Sequence, residues 1–280
     1  MTPLLSRVGV QCCDDRRSPA LRHLSRPEHV RRLPVRGRLR RGKAGVRVEL
    51  IVGSSFDQFA AGQADVGFIC GLPYVQLARQ PSPPVELLAA PVLQGARYEG
   101  RPVYFSDVIV HTDSRYSSFS DLRGCSWAYN DLDSHSGYNV TRHRLVQMGE
   151  ISGYFGRVVE GGSHQRSIRM VCKGEVDAAA IDSQVLAVEL RDHPALRSQL
   201  RVIDTLGPAG IQPVVAASRL PDALKVDIRE VLLDMGDDPV TRAGLAPGLI
   251  ERFVTVTDED YHDVRAMLTA AEDANFLTLR

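Results

Sequence analysis

The stretch AYNDLDSHSGYNVTRHRL, residues 128–145, decides how the rest of the chain is read. It begins inside a short β-rich run, SWAYN (126–130), passes through a polar loop, and enters a helical pattern that starts at Ser134–Gly137 and is closed by Gly149. The start of a helix leaves backbone N–H groups without intrahelical partners, and the aligned peptide dipoles add positive potential there, so an anion is favoured. Ser134 and Ser136 contribute hydroxyl donors, His135 a ring donor, and Gly137 permits close approach to the backbone. This is a way to hold a tetrahedral oxyanion without a lysine. A serine at this place is also an ordinary N-cap, and the local sequence does not choose between the two.

The same arrangement recurs on either side. VVEGGSHQRSIRMV (158–171) runs from strand through a glycine pair to Ser163–His164 and a helix, which puts His164 at a helix start facing the same cleft, or else on the surface. Gly53–Ser54–Ser55 makes a third strand-to-helix start, between a strand at 46–52 and a helix expected over 54–63.

From residue 46 onward strands and helices alternate, which predicts α/β with mostly parallel sheets. Strands are expected at 64–70, 85–92, 104–112, 126–130, 157–162, 176–182, 200–207 and 211–218. Helices are expected at 136–149, 164–174, 183–193, 220–236 and 258–274. The strand at 104–112 is long enough to pass between lobes, and that at 200–207 returns. One α/β unit (113–203) is thus inserted into another (45–112 plus 204–280), and ligands of such sheets lie beyond the strands' C-terminal ends.

Net charge is zero, with 34 basic and 34 acidic residues, so nothing in the balance asks for nucleic acid or an acidic membrane. The zero hides an asymmetry: residues 1–43 hold 12 Lys+Arg against 3 Asp+Glu. That head is Arg-dense and irregular, and it admits four readings: a basic tail, an RNA- or membrane-binding arm, a targeting peptide, or a displaced reading frame. It has no aromatic residue to stack bases, so no nucleic-acid partner is expected. Five cysteines, Cys12, Cys13, Cys70, Cys125 and Cys172, show neither a disulfide framework nor zinc spacing, and are read as free thiols. No apolar run reaches the length of a membrane span, and no secretory signal is evident, which places the chain as written in the cytoplasm. No HExxH, GxSxG, P-loop or GxGxxG context appears, so no catalytic residue, metal or cofactor is expected.

Taken in order, VGSSFDQFAAGQADVGFICGLPYV (52–75), YFSDVIV (104–110), DSHSGYNVTR (133–142), GGSHQRSIRMV (161–171) and GEVDAAAIDS (174–183) resemble the phosphate/phosphite/phosphonate ABC-transporter substrate-binding family over roughly residues 46–260. The resemblance implies a two-lobed type 2 periplasmic-binding-protein fold: two mixed or parallel sheets joined by two crossover strands. It implies a small tetrahedral oxyanion as ligand, delivered by a monomer to a transporter permease if the chain is exported. In family terms the phosphonate-holding segment falls on Ser134, His135, Ser136 and Gly137, and the histidine of the Gly-Ser-His segment on His164. The cleft tyrosine falls on Tyr74, the crossover tyrosine on Tyr104 and the strand-end acid on Asp182, with Ser54 and Ser55 at the first-lobe turn. Where relatives that bind aminoalkyl phosphonates carry carboxylates, this chain has Gln184 and Gln212, which favours a ligand without an amine. Two departures stand out. The signal peptide is absent, whereas family members work in the periplasm or anchored outside the cell. The family's first strand is missing from residues 1–44, unless Leu21–Val30 is read one nucleotide out of frame, when suitable codons spell a similar strand and turn. A cytoplasmic ligand sensor and a thiamine-precursor-synthase-like enzyme on the same fold are the alternatives.

Overall fold

A computed structural model of the chain describes residues 5–10, 47–53 and 55–279. Two sheets organise it. The first contains β1 (Leu5–Val10), β2 (Arg47–Val52), β3 (Val66–Phe68) and β4 (Val85–Leu93), with the short helix α1 (Asp57–Ala60) and the longer α2 (Gly71–Ala78) between strands. The second contains β5 (Val103–His111), β6 (Ser126–Tyr129), β7 (Arg157–Glu160), β8 (Ala178–Asp182) and β9 (Leu200–Gly210), with helices α3 (Val140–Gln147), α4 (His164–Cys172) and α5 (Ser183–Asp192). The chain then re-enters the first sheet with β10 (Val214–Ala217), helices α6 (Asp222–Asp234) and α7 (Pro239–Leu245), and β11 (Ile250–Val254), and ends on α8 (His262–Asp273). Strand order is β11-β4-β10-β3-β1-β2 in the first sheet and β7-β6-β8-β5-β9 in the second. Both are mixed: β1, β2 and β3 run parallel, as do β6, β7 and β8, while β10, β11, β5 and β9 pair antiparallel.

The sheet each strand joins refines the division at residues 112 and 204. Strands β5 and β9 lie wholly in the second sheet and pair with each other from Val103↔Gly210 to His111↔Leu200. The two passages between sheets therefore fall at residues 94–102 and 211–213, before β5 and after β9. Arg97 secures the first passage, since its guanidinium forms two hydrogen bonds of 2.9 and 2.8 Å to the buried Asp107 carboxylate on β5.

One expectation is corrected. The first lobe does not lack its first strand: Leu5–Val10 lies between β2 and β3, in parallel register Leu5↔Arg47 and Val8↔Val66. A central position needs six residues whose N–H and C=O groups can bond on both sides, and LSRVGV contains no proline to interrupt the ladder. Among the described residues the first sheet thus has six strands, β1 among them. The segment proposed for a displaced reading frame, Leu21–Val30, lies outside the described residues, as does Ser54. The helix expected over 54–63 shrinks to the four residues of α1, because Gly62 adopts φ +71°, a left-handed conformation that ends a helix. Strand β11 was not anticipated from the sequence.

Alternation along single strands builds the cores. On β5, Val108 and Val110 join a cluster with Phe119, Trp127, Tyr154 and Phe155, while Ile109 points to the opposite face with Ile168, Val171 and Ile181. All five residues of β8 are buried, so VDAAAID is a strand covered on both faces. The tail after α8 also crosses over: Phe276 and Leu279 pack into the second sheet's cluster beside Tyr138. The tail's backbone bonds to the Tyr138 hydroxyl, with Leu279 N donating at 3.2 Å.

Candidate functional site

The site grows from the C-terminal end of β6. After Asn130 the chain loops to Ser134, whose hydroxyl oxygen accepts from Gly137 N at 3.1 Å, and a turn of π-helix, His135–Asn139, leads into α3. Such wide turns are uncommon and concentrate at functional positions. The N-cap reading of Ser134 is therefore correct, and it does not exclude ligand binding: the oxygen caps while the hydroxyl hydrogen remains available to donate. Ser134, His135 and Ser136 are 1%, 1% and 2% exposed, an unusual degree of burial for three consecutive polar residues at a helix start.

Helix α4 brings in His164. Ser163 caps that helix by accepting from Arg166 N at 3.1 Å, and the first helical residue turns its ring inward until Nε2 lies 3.0 Å from Ser136 Oγ. Nδ1 of the same ring is buried and has no hydrogen-bond partner. Gly137 is required by close packing: a Cβ built there would lie 1.8 Å from Asn130 Oδ1 and 3.3 Å from His164 Cε1. Ser134, His135, Ser136, Gly137 and His164 thus form one cluster, together with Asn130, which the sequence reading passed over. Its signal was its place as the residue following a parallel strand, where ligands of such sheets gather.

Burial pushes both imidazoles down to about 3, so both are neutral near pH 7. The cluster carries no Lys or Arg, and its donors are hydroxyls, ring N–H groups and backbone amides. Three buried polar atoms in it lack partners: Asn130 Oδ1, His135 Nε2 and His164 Nδ1. Buried polar groups are rarely left without a partner in the folded chain. The first sheet's elements reach it through α2, whose N-cap residue Cys70 accepts from His135 N at 3.2 Å, and on β5 of the second sheet the ring centre of Tyr104 is 6.3 Å from that of His135.

The other expected residues lie apart from this cluster in their hydrogen bonding. Tyr74 donates its hydroxyl to Asp258 Oδ1 at 2.8 Å and packs on Tyr261, and burial and that carboxylate together raise its pKa. Asp182 is buried and caps α5, Oδ1 accepting from the amides of Gln184 and Val185; Oδ2 accepts from Gln212 Nε2 at 2.6 Å. Gln184 donates to Gly248 O at 2.6 Å and lines a different cavity of about 410 Å³ on the passage side, between Leu93–Tyr98 and α5. That cavity is largely apolar, and its Arg97 and Asp107 neutralise one another. Ser55 donates its hydroxyl to Asp57 at the entry to α1. Cys70, Cys125 and Cys172 are free thiols, and burial pushes that of Cys125 up to about 12, which leaves it unreactive.

Two sheets linked by two passages of chain, with a cluster of uncharged polar side chains at the starts of helices that follow neighbouring strands, define a solute-binding protein of the periplasmic-binding type. The chain belongs to the family of periplasmic phosphonate-binding proteins of ABC transporters, whose model matches residues 32–261. Solved structures of the same fold include a binding protein component of an ABC phosphonate transporter from Pseudomonas aeruginosa. It is 17% identical with a TM-score of 0.77, over 100% of this chain and 90% of that one. PhnD1 from Prochlorococcus marinus, solved in complex with methylphosphonate, is 20% identical with a TM-score of 0.74, over 98% and 99% of the two chains. The aliphatic sulphonate binding protein SsuA from Escherichia coli is 16% identical with a TM-score of 0.59, over 98% and 88%. Among the described residues no helix is long and apolar enough to cross a membrane.

Proposed function

We propose that the chain binds a small tetrahedral oxyanion, a phosphonate with a short uncharged tail or phosphite, at the Ser134–Gly137 turn and His164. The observation that carries this reading is His135 Nε2, buried and without a partner, in the residue before Ser136, whose hydroxyl lies 3.0 Å from His164 Nε2. An oxyanion fits there because the His135 ring N–H, the Ser136 hydroxyl and the backbone amides of the helix start can all donate to it, and no neutralising side chain is needed. Tyr104 borders the site from β5.

The tail preference follows from the glutamines. Gln212 and Gln184 spend their side-chain N–H groups on Asp182 and Gly248, and Asp182 accepts three hydrogen bonds within the chain. Residues 184 and 212 thus offer amides and not carboxylates, and most of the accepting capacity of Asp182 is already used within the chain. The chain acts as a monomeric carrier, without catalysis, that passes its ligand to a transporter permease outside the cytoplasm. Isothermal calorimetry against methylphosphonate, phosphite, phosphate, 2-aminoethylphosphonate and sulfate tests it. Heat is expected with the first two, and weaker or no heat with the amine. Absence of heat with every tetrahedral anion would overturn the proposal.

A further inference from the structure

Behind the anion-binding turn lies a file of hydrogen bonds whose directions follow from chemistry alone. Arg142, on α3, is buried, and a guanidinium can only donate. It donates to Leu277 O at 3.0 Å and to Asn139 Oδ1 at 2.7 Å. With its oxygen turned to that donor, the Asn139 amide is fixed, and its Nδ2 must donate in the other direction. Nδ2 lies 3.2 Å from His135 Nδ1, so that ring nitrogen accepts and carries no proton. A neutral imidazole has one N–H, and here it must be on Nε2, which is buried and without a partner.

We infer that Asn139 and Arg142 are positioning residues that hold His135 in its Nε2–H tautomer, so that the ring donates a hydrogen bond to the bound oxyanion. This rests on the reading that the Ser134–Gly137 turn holds the anion. In the other tautomer a lone pair would face the anion and repel it. The file thus provides a donor without adding charge. It also brings the C-terminal tail into the site's support, since the Leu277 carbonyl orients Arg142. The spacing serves this: residues 135, 139 and 142 share one face of the helical segment, four and three apart.

Two-bond ¹H–¹⁵N correlation spectra of the full chain, labelled with ¹⁵N, read the ring directly. The expected result is a single protonated nitrogen, Nε2, on His135 in the free protein, whose signal shifts when methylphosphonate is added. N139D replaces the donor by an acceptor, so the ring is expected to gain a proton on Nδ1. Calorimetric affinity for methylphosphonate is expected to fall about tenfold or more. R142A frees the amide to rotate and should mix the tautomers. A wild-type His135 with its proton on Nδ1 would overturn the inference, as would unchanged spectra and affinity in both variants. If the wild type binds no oxyanion at all, the donation to ligand fails with the proposed function. The spectrum of the free protein still decides whether Asn139 sets the tautomer.

Discussion

The Ser136 hydroxyl and the His164 imidazole meet at 3.0 Å, joining the starts of two helices that are 28 residues apart in sequence. A hydroxyl can accept from one partner while donating to another, so His164 can orient the Ser136 hydrogen toward a ligand without leaving the pair. This arrangement leads to the first of four expected outcomes. Ser136→Ala should weaken oxyanion binding by about 1.5–3 kcal/mol, the usual worth of a hydrogen bond to a charged group. Calorimetry with methylphosphonate checks it, and an unchanged dissociation constant would remove Ser136 from the site.

Gly137 offers a steric test. A methyl group there would overlap Asn130 Oδ1 at 1.8 Å and press on His164 Cε1 at 3.3 Å, so the buried Asn130 side chain would have to shift. Gly137→Ala should cost roughly 1–3 kcal/mol of stability, as overpacking generally does. Adding Asn130→Ala should return much of that in a thermal melt while leaving binding impaired. If Gly137→Ala melts and binds like the wild type, the close packing of this turn is not as described.

The histidines predict a pH dependence. His135 and His164 are held at about 3 in the folded chain against an ordinary value of 6.5. As pH falls below about 6.5 the unfolded chain takes up protons that the folded chain refuses, so stability is full above that value. It is lost progressively down to about pH 3, at up to ~1.4 kcal/mol per pH unit for each histidine. Urea melts between pH 7.5 and 4.5 should show this slope, and His164→Asn should reduce it. A flat profile in the wild type would mean that these rings are not buried neutral.

Gln212, on the second passage, donates to Asp182 at the end of β8 at 2.6 Å. Burial already raises the Asp182 pKa, and Gln212 is among the groups that counter the rise. Gln212→Leu should therefore destabilise the fold by about 1–3 kcal/mol, the cost of leaving a buried acceptor short of a donor. A lower midpoint in a urea melt is the expected signature. An unchanged midpoint would show that the second passage does not depend on this pair.

Much of this protein could be read from its residues in order. Short β-rich runs bounded by Gly, Ser and Asp, alternating with helical patterns, are local signals, and they located most strands and helices. They also placed Ser134–Gly137 and His164 at helix starts, because capping and anion binding both depend on residues adjacent in the chain. Strand β11 escaped notice, since IERFV pairs with β4 only across a long sequence separation. The first strand was missed in the same way: LSRVGV has no pattern of its own, and only its neighbours β2 and β3 give it a ladder.

Partnership required the folded chain. Tyr74, Gln184 and Gln212 are of types that suit a ligand, but Asp258, Gly248 and Asp182 already use their polar groups, and these are 184, 64 and 30 residues away. In the opposite direction, Asn130 and the Asn139–Arg142–Leu277 file had no functional mark in sequence. They acquire one because packing leaves one donor or acceptor unmet and fixes the direction of another. The sequence by itself determined which backbone turns can hold an oxyanion, because that property belongs to a few consecutive residues. Which side chains remain free to meet the anion was decided by tertiary structure, since a hydrogen bond spent on a distant partner is no longer available to a ligand.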